Sequence, residues 1–488
     1  MGKTLRLIDK SLSFIEKNKS SMPKSLLLSI LALLFTFSSH SQLGCKVEIS
    51  VKNYQGNQIY IGYNLMGKTY VRDTLVVTDG KFVLEDMESI ERGMYMAVYP
   101  ETMNYFEFLM GSDQKFRLDT EFDNEIHGMV ITGSEENEIL YEFFQNTDLT
   151  NVRISELDEE AKNLAVTTTS YTENREEREQ LNAQIETYKR QVMANYPQLV
   201  VSKLIHISFD VEFPEELSEV NSDDETRFKY YRKHYFDCVD FSEQALLRTN
   251  LLSGRIDTYM SRLTMNDPDS IIATVHHICD LSRANKEVFK SVVVYLLNKY
   301  ASSKLIGMDA VYVDMVETYY LSGDADWIEE ENLASMKNRA ETLKPTLIGK
   351  KAAKISGIDT NGNSFLLKPS DAEHTIVLFW NYSDANSIAA AQDFQAMMEV
   401  LDDPTVQLIS IATLGIKDTW KESLASANLS QANQRYYLLD TNTDQYVKNF
   451  DFDGMRIKTY LIDSNGIIDL KQFNAEQVFN YLGGAREN

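Results

Sequence analysis

Residues 374–387, HTIVLFWNYSDANS, constrain the last third of the chain more than any other stretch. The β-branched and aromatic run 374–380 is long enough for a buried strand and too short for a helix. A short polar turn, 381–383, follows the run, and after it apolar residues recur at helical spacing. They are Ala389, Ala390, Phe394, Met397, Met398 and Leu401. This order of strand, turn and helix predicts the first βα unit of an open α/β sheet, with the N-terminus of the helix at the turn.

The same stretch resembles the thioredoxin-like fold, in particular the periplasmic TlpA/ResA-like branch, which reads F-W-x-x-W-C-x-x-C at this place. Aligned on Phe379 and Trp380, the motif puts its first cysteine at Asp384 and its second at Ser387. The chemistry of that family needs a thiolate, which the positive end of the helix stabilises. A carboxylate cannot attack a disulfide, and a serine cannot resolve a mixed one. The resemblance therefore implies a thioredoxin-like domain without thiol–disulfide activity.

A second position departs from the family pattern. The strand that faces the active site of these proteins usually begins with a cis-proline, whose bend opens a backbone edge to substrate. In this chain that place falls on Ile457. A cis bond before a residue other than proline costs about 2.5–4 kcal/mol, so we expect a trans peptide and a changed groove. Two losses together suggest that the redox role has gone. A peroxiredoxin-type alternative needs its own thiol, and no cysteine follows Cys279.

Two interpretations of Asp384 remain open. Aspartate is among the best N-cap residues and is favoured by the helix dipole, which gives it a structural role. Alternatively, Asp384, Ser387 and Trp380 line a small groove that binds a peptide without reacting with it. Ser387 is no candidate nucleophile, because the only histidine after residue 343 is His374, at the far end of the strand. We therefore predict no catalytic residue.

The N-terminus has the pattern of a secretory signal peptide. The 12-residue apolar run 26–37 is well short of the ~20 residues that a helix needs to span a bilayer. Ser39 and Ser41 are small residues at the two positions that a signal peptidase reads. We expect residues 1–41 to be a signal peptide and the mature protein to be periplasmic or secreted.

Two details of this N-terminal segment carry alternatives. Met22 would give a signal peptide of ordinary length, so we expect translation to begin there rather than at Met1. Leu43-Gly44-Cys45 ends as a lipobox does, but Gln42 stands where an aliphatic residue is expected. A lipid anchor at Cys45 is therefore the less favoured alternative.

Composition excludes several classes of protein. A formal net charge of −25 repels nucleic acid and anionic membranes, so we expect neither as a partner. The three cysteines, Cys45, Cys238 and Cys279, allow at most one disulfide, so the chain is no disulfide-stapled scaffold. With 488 residues and 43% hydrophobic content the chain can bury several cores. We therefore expect a multidomain protein with no membrane span beyond the signal peptide.

Residues 42–133 predict an antiparallel β-sandwich domain. Apolar and polar residues alternate along 45–51, and short β-rich runs with turn residues between them follow to residue 120. Asp79-Gly80 between two such runs predicts a hairpin, because a type I′ turn needs positive φ. The motif of Asp73-Thr74, Asp79-Gly80-Lys81-Phe82 and Thr132-Gly133-Ser134 resembles a β domain of unknown function that commonly precedes thioredoxin-like domains in exported bacterial proteins. The expected role is a spacer or interaction module.

Residues 134–343 predict an all-α domain. The clearest helix runs from 172 to 196, where apolar residues recur every three or four positions before Pro197. Further helices are predicted at 224–236, 247–262, 270–283, 286–299, 308–321 and 325–343. The segments KHYFD at 233–237 and IGMDA at 306–310 resemble a second domain of unknown function, which accompanies exported thioredoxin-like proteins.

One local cluster in this helical domain invites a metal interpretation. His276, His277 and Asp280 fall on one helix close to Cys279. A zinc site needs three or four ligands that converge, and the sequence offers only this fragment. We therefore expect an ordinary helix surface there, with no metal and no cofactor.

The order of elements predicted after residue 343 resembles the TlpA/ResA-like fold throughout. Strands are predicted at 374–380, 406–412, 435–439, 457–463 and 467–471, and helices at 419–427, 442–449 and 475–482. The sequence thus predicts a thioredoxin-like α/β domain at 344–488 behind the sandwich and the helical domain. The expected function is that of a redox-inactive binding or assembly module for an unknown protein or peptide partner in the cell envelope. The alternative is a divergent thiol–disulfide oxidoreductase or antioxidant protein of the thioredoxin family.

The signal-peptide prediction has a direct test. When the full reading frame is expressed in a bacterium, N-terminal sequencing of the exported protein should begin at Gln42, because Ser39 and Ser41 define the cleavage site. A blocked N-terminus at Cys45 with the added mass of a lipid would instead identify a lipoprotein. Retention of residues 26–37 in the exported protein would contradict both.

Overall fold

The computed structural model describes residues 44–218, 221–366, 372–413, 419–429, 435–440, 448–452 and 457–484. The chain divides into two compact units, Met1–Gly62 with Val71–Ile185 and Tyr63–Tyr70 with Glu186–Asn488. The signal peptide predicted at 1–41 and most of the helix predicted at 442–449 lie outside the described residues. Within the described ranges, no helix is long and apolar enough to cross a membrane.

Residues 44–132 form two four-stranded sheets, in the orders β4-β1-β7-β8 and β3-β2-β5-β6. The strands are β1 Cys45–Lys52, β2 Gln58–Leu65, β3 Lys68–Val76, β4 Phe82–Asp86, β5 Gly93–Val98, β6 Tyr105–Met110, β7 Lys115–Glu121 and β8 Val130–Thr132. The predicted hairpin at Asp79-Gly80 is confirmed: φ is 52° and 75° at the two residues, and Thr78 and Lys81 exchange backbone hydrogen bonds.

One pair of strands corrects the expectation of a wholly antiparallel sandwich. β1 and β7 run parallel, with Val47 opposite Phe116. Alternation of apolar and polar residues reveals a strand and its buried face but not the direction of its neighbour, which is why the sequence did not predict this pair. Phe108 of one sheet and Phe116 of the other lie 6.2 Å apart between ring centroids, so the two sheets meet through aromatic side chains.

A buried asparagine attaches the first helix, α1 Glu135–Ala161, to strand β6. The Asn137 side chain accepts a hydrogen bond from the Leu109 backbone N–H at 2.7 Å and donates one to the Leu109 carbonyl at 2.8 Å. Ser134 caps the helix, because its hydroxyl accepts a hydrogen bond from the Asn137 N–H. The backbone N–H and carbonyl of Leu109, which lies in the edge strand β6, are thereby both hydrogen-bonded although the residue is fully buried.

Helices make up the regular structure of the described residues from 135 to 346. After α2, Thr169–Asn195, they are α3 Val200–His206, α4 Asp224–His234, α5 Asn250–Arg262, α6 Pro268–Ser282, α7 Lys286–Ala301, α8 Asp309–Met315 and α9 Glu330–Leu343, with 3₁₀ turns at Glu215–Leu217, Gln244–Arg248 and Lys344–Thr346.

Two predicted helices of this region are interrupted. The one predicted at 247–262 is a 3₁₀ turn and then α5, because Thr249 is extended and caps α5 through its hydroxyl. The one predicted at 308–321 becomes a π-helical turn over Val316–Tyr320 after α8. Apolar spacing predicts a buried face but cannot distinguish a continuous helix from one that changes its hydrogen-bond pattern.

The described strands after residue 350 form one sheet in the order β10-β9-β13-β12-β11-β14-β15. They are β9 Ser356–Ile358, β10 Ser364–Leu366, β11 His374–Asn381, β12 Val406–Thr413, β13 Arg435–Asp440, β14 Lys458–Asp463 and β15 Ile468–Lys471. Helices α10 Ala385–Leu401, α11 Trp420–Ser426 and α12 Ala475–Gly484 contribute to the core. β11 pairs in parallel with β12 and antiparallel with β14, so it is hydrogen-bonded along both edges.

β11 also places side chains in two separate hydrophobic clusters. Leu378 and Trp380 pack with residues of α10 and α12, whereas Val377 and Phe379 pack in a second cluster with Tyr460 of β14. Successive residues of a strand point to opposite faces, so an unbroken apolar run predicts a strand covered on both sides. The strand prediction at 374–380 is confirmed with one extra residue, Asn381.

A buried ion pair joins the helical segment and the C-terminal sheet within the second unit. The side chain of Lys471, only 1% exposed, donates from Nζ to Asp309 Oδ2 at 2.5 Å and to Thr346 Oγ1 at 2.9 Å. Burial lowers the pKa of Lys471, and the charge of Asp309 opposes that change. Removal of one partner would leave the other charge uncompensated and largely dehydrated.

We expect Lys471→Met to lower the free energy of unfolding by about 3 kcal/mol, because Asp309 would lose its counter-charge. Urea denaturation of the full chain measures the change. The double variant Asp309→Leu/Lys471→Met should recover much of the loss, since neither charge then remains buried. Lys337→Met, on the exposed side of α9, is the matched control and should change stability little. Equal losses in the single and double variants would contradict this account.

Candidate functional site

The helix that follows β11 begins with a capping carboxylate. Asp384 is extended, with φ −110° and ψ 125°, and its Oδ2 accepts a hydrogen bond from the Ser387 backbone N–H at 2.7 Å. The turn before it is fixed by Asn381, whose side-chain oxygen accepts from the Ser383 N–H at 2.8 Å. The N-cap role expected for Asp384 is therefore observed. The anionic group at the positive end of this helix is thus a carboxylate and not a thiolate.

Ser387 lies in the first turn of α10 and is 1% exposed. A serine attacks a substrate only when a neighbouring base removes its proton. His374 stands at the opposite end of the eight-residue strand β11, roughly 20 Å away at the usual rise per residue. His374 is therefore out of reach as a base for Ser387.

Trp380 and Ile457 meet at the carboxyl end of β11. Phe379 lies opposite Lys458 in the register of β11 and β14, so Trp380 comes next to Ile457 as that register continues. Trp380 is 1% exposed, and Ile457 is half-buried and packs against the same hydrophobic cluster. The peptide bond before Ile457 joins it to Arg456, which lies outside the described residues, so the expected trans bond stays a prediction.

These positions correct one of the two interpretations of the site. The alternative in which Trp380, Ser387 and Asp384 line a peptide-binding groove requires their side chains to be accessible. Trp380 and Ser387 are both buried in the core, and only Asp384 is partly accessible. Because Trp380 packs against α10, its side chain is not available to a bound peptide.

None of the three cysteines belongs to α10 or to the turn before it. Cys45 lies in β1, Cys238 in the turn after α4 and Cys279 in α6, and all three are buried and free. Burial raises the pKa of Cys45 to about 11 and that of Cys279 to about 12, which keeps both thiols protonated at neutral pH. The sequence allowed one disulfide, and none forms.

The histidine cluster of α6 has structural partners. His276 Nδ1 lies 2.7 Å from the Tyr319 hydroxyl, and its Nε2 lies 2.8 Å from Asp314 Oδ2. Both ring nitrogens are therefore engaged by side chains of the segment 309–320. In the part of the chain that the structure describes, no three His, Cys, Asp or Glu side chains are grouped to hold a metal ion.

Two family models match parts of the chain. Domain of unknown function DUF4369 matches residues 45–140, and domain of unknown function DUF5106 matches residues 168–345. Neither covers half of the chain. No curated protein matches it.

Several solved structures are similar to parts of the chain. A thioredoxin-like protein from Bacteroides caccae is 16% identical, with 56% of this chain and 97% of that one covered and a TM-score of 0.42. The thioredoxin domain of a thiol-disulfide oxidoreductase from Bacteroides vulgatus is 18% identical, with 28% and 96% covered and a TM-score of 0.25. StoA from Bacillus subtilis is 15% identical, with 27% and 96% covered and a TM-score of 0.23.

We expect Asp384→Ala to lower the free energy of unfolding by about 1 kcal/mol, because the Ser387 N–H would lose its acceptor. Asp384→Asn should be nearly neutral, since asparagine caps helices equally well. Urea denaturation of the three proteins measures the difference. If Asn destabilises as much as Ala does, the charge and not the cap supports the helix.

Proposed function

We propose that this chain is an exported cell-envelope protein whose thioredoxin-like domain, residues 344–488, does not exchange thiols and disulfides. The other proposed domains are a β-sandwich at 42–133 and an α-helical domain at 134–343. The protein acts as a binding or assembly module for a protein or peptide partner in the envelope.

One observation carries this proposal, namely the side chains at the N-terminus of α10. In a thioredoxin-like oxidoreductase this helix end stabilises a thiolate, which attacks a disulfide sulfur and forms a mixed disulfide. Here Asp384 caps the helix and Ser387 is buried in its first turn. A carboxylate forms no bond to a disulfide sulfur that a serine could then resolve, so the exchange has neither a first nor a second step.

The cysteines elsewhere in the chain do not supply a substitute thiolate. Residues 344–488 contain no cysteine at all. For Cys45, Cys238 and Cys279 burial raises the thiol pKa, which is the opposite of what a reactive cysteine needs. None of the three thiols of the chain therefore has the lowered pKa that thiol–disulfide exchange requires.

The buried position of Cys45 also bears on how the protein is held in the envelope. Its side chain is fully buried in β1, opposite Asp86 of β4. A lipid on this sulfur would require the first residues of the strand to leave the sheet. We therefore favour cleavage after Ser41 without a lipid anchor.

Insulin reduction with dithiothreitol tests the proposal. Because no thiolate is present at the helix start, the mature protein should precipitate insulin no faster than dithiothreitol alone. Wild-type turnover above that blank would contradict the proposal and favour the alternative, a divergent oxidoreductase. Capture of a defined envelope protein by the mature chain would support the binding role.

Restoration of the thiols provides a second experiment. The variant Asp384→Cys/Ser387→Cys should acquire little activity in the insulin assay, because Ser387 is buried and Ile457 replaces the proline of the substrate edge. Addition of Ile457→Pro should raise the activity further. Full activity in the two-cysteine variant would show that only the thiols had been lost and that the groove is intact.

A further inference from the structure

A groove lies in the second unit between the tip of the β2–β3 hairpin and helix α7. Its volume is about 440 Å³, and its lining includes Leu65, Met66, Lys68, Tyr70, Lys290 and Val294. We call it the lysine groove. The volume is within the range of sites that bind small molecules, roughly 300–1,000 Å³.

Both walls of the lysine groove are held by contacts of their own. On the hairpin side, the Met66 N–H donates to the Leu247 carbonyl at 3.0 Å, and the rings of Tyr63 and Tyr70 stack at 5.6 Å. Gly67 has φ +79°, which a residue with a side chain adopts only with strain. On the other side, α7 is fixed by its buried face. The buried residues of that face are Val288, Phe289, Val292, Val293, Leu296, Leu297 and Tyr300. The groove is therefore preformed.

The charges along the groove are not balanced. Lys299 is paired with Asp257 at 2.7 Å, and the second oxygen of that carboxylate accepts from the Tyr295 hydroxyl. Lys68 and Lys290, by contrast, make no ion pair or side-chain hydrogen bond with any residue that the structure describes. Two uncompensated cations on an apolar groove are notable in a chain of net charge −25, in which carboxylates greatly outnumber amines.

We propose that the lysine groove binds a small amphiphilic anion, an apolar skeleton that carries one carboxylate or sulfonate group. The apolar part lies against Leu65, Tyr70 and Val294, and Lys68 and Lys290 attract the anionic group. Apolar burial gives such a ligand its affinity, and charge complementarity selects it over neutral compounds of the same shape. This site is independent of residues 374–387 and of the proposed loss of redox activity.

The probe for this site is 1-anilinonaphthalene-8-sulfonate, whose fluorescence rises in apolar surroundings. At low ionic strength the mature chain should bind it at one saturable site. Lys68→Gln and Lys290→Gln should each weaken binding roughly fivefold, the effect of one solvent-accessible charge pair. Val294→Asp should weaken it more, because it places a carboxylate in the apolar wall. Lys337→Gln, on α9, is the control and should bind as the wild type does.

Competition identifies the class of ligand. Dodecanoate should displace the probe at a concentration at least tenfold below that of dodecanol, which has the same chain length and no charge. Unchanged thermal midpoints establish that the variants fold. Equal binding by Lys68→Gln, Lys290→Gln and wild type would overturn the proposal, and so would equal displacement by dodecanol. Displacement by an acidic peptide but not by dodecanoate would overturn it in favour of a peptide site.

Discussion

The positions at the candidate site depend on the burial of β11 on both faces. Hydrogen bonds to β12 and β14 fix its edges, and two hydrophobic clusters fix its faces. The strand cannot shift by one residue without exchange of the two sets of side chains, so its end point and the start of α10 are determined together. The capping geometry of Asp384 follows from that constraint. A site with this rigidity could position a reactive group well, which makes the chemical identity of the group decisive.

The helix end illustrates how one electrostatic feature supports different roles. A helix N-terminus favours any anion, whether thiolate or carboxylate. A thiolate that is stabilised in this way is also a nucleophile. The carboxylate of Asp384 instead accepts a hydrogen bond from the Ser387 N–H. The fold then gains stability from the interaction that elsewhere supports reactivity. Trp380 and Ile457 pack in one hydrophobic cluster, so apolar side chains occupy the carboxyl end of β11.

Local patterns in the sequence were sufficient to predict several elements of the fold and of the candidate site. The apolar run of β11, the Asp384 cap and the Asp79-Gly80 turn depend on neighbouring residues and were predicted correctly. The parallel pairing of β1 with β7 could not be predicted, because it depends on strands far apart in the chain. The burial of Trp380 and Ser387 was missed for a similar reason: it depends on how tightly α10 packs, which apolar spacing does not reveal.

The ion pair between Lys471 and Asp309 has a consequence for how this chain can be divided. The two residues are 162 positions apart, and Asp309 belongs to the IGMDA segment outside residues 344–488. An excised C-terminal fragment would retain Lys471 without the carboxylate that it contacts in the whole chain. The buried charge of Lys471, in β15, is therefore stabilised by a carboxylate of α8. A cut at residue 344 would therefore divide this ion pair, which the segments on both sides share.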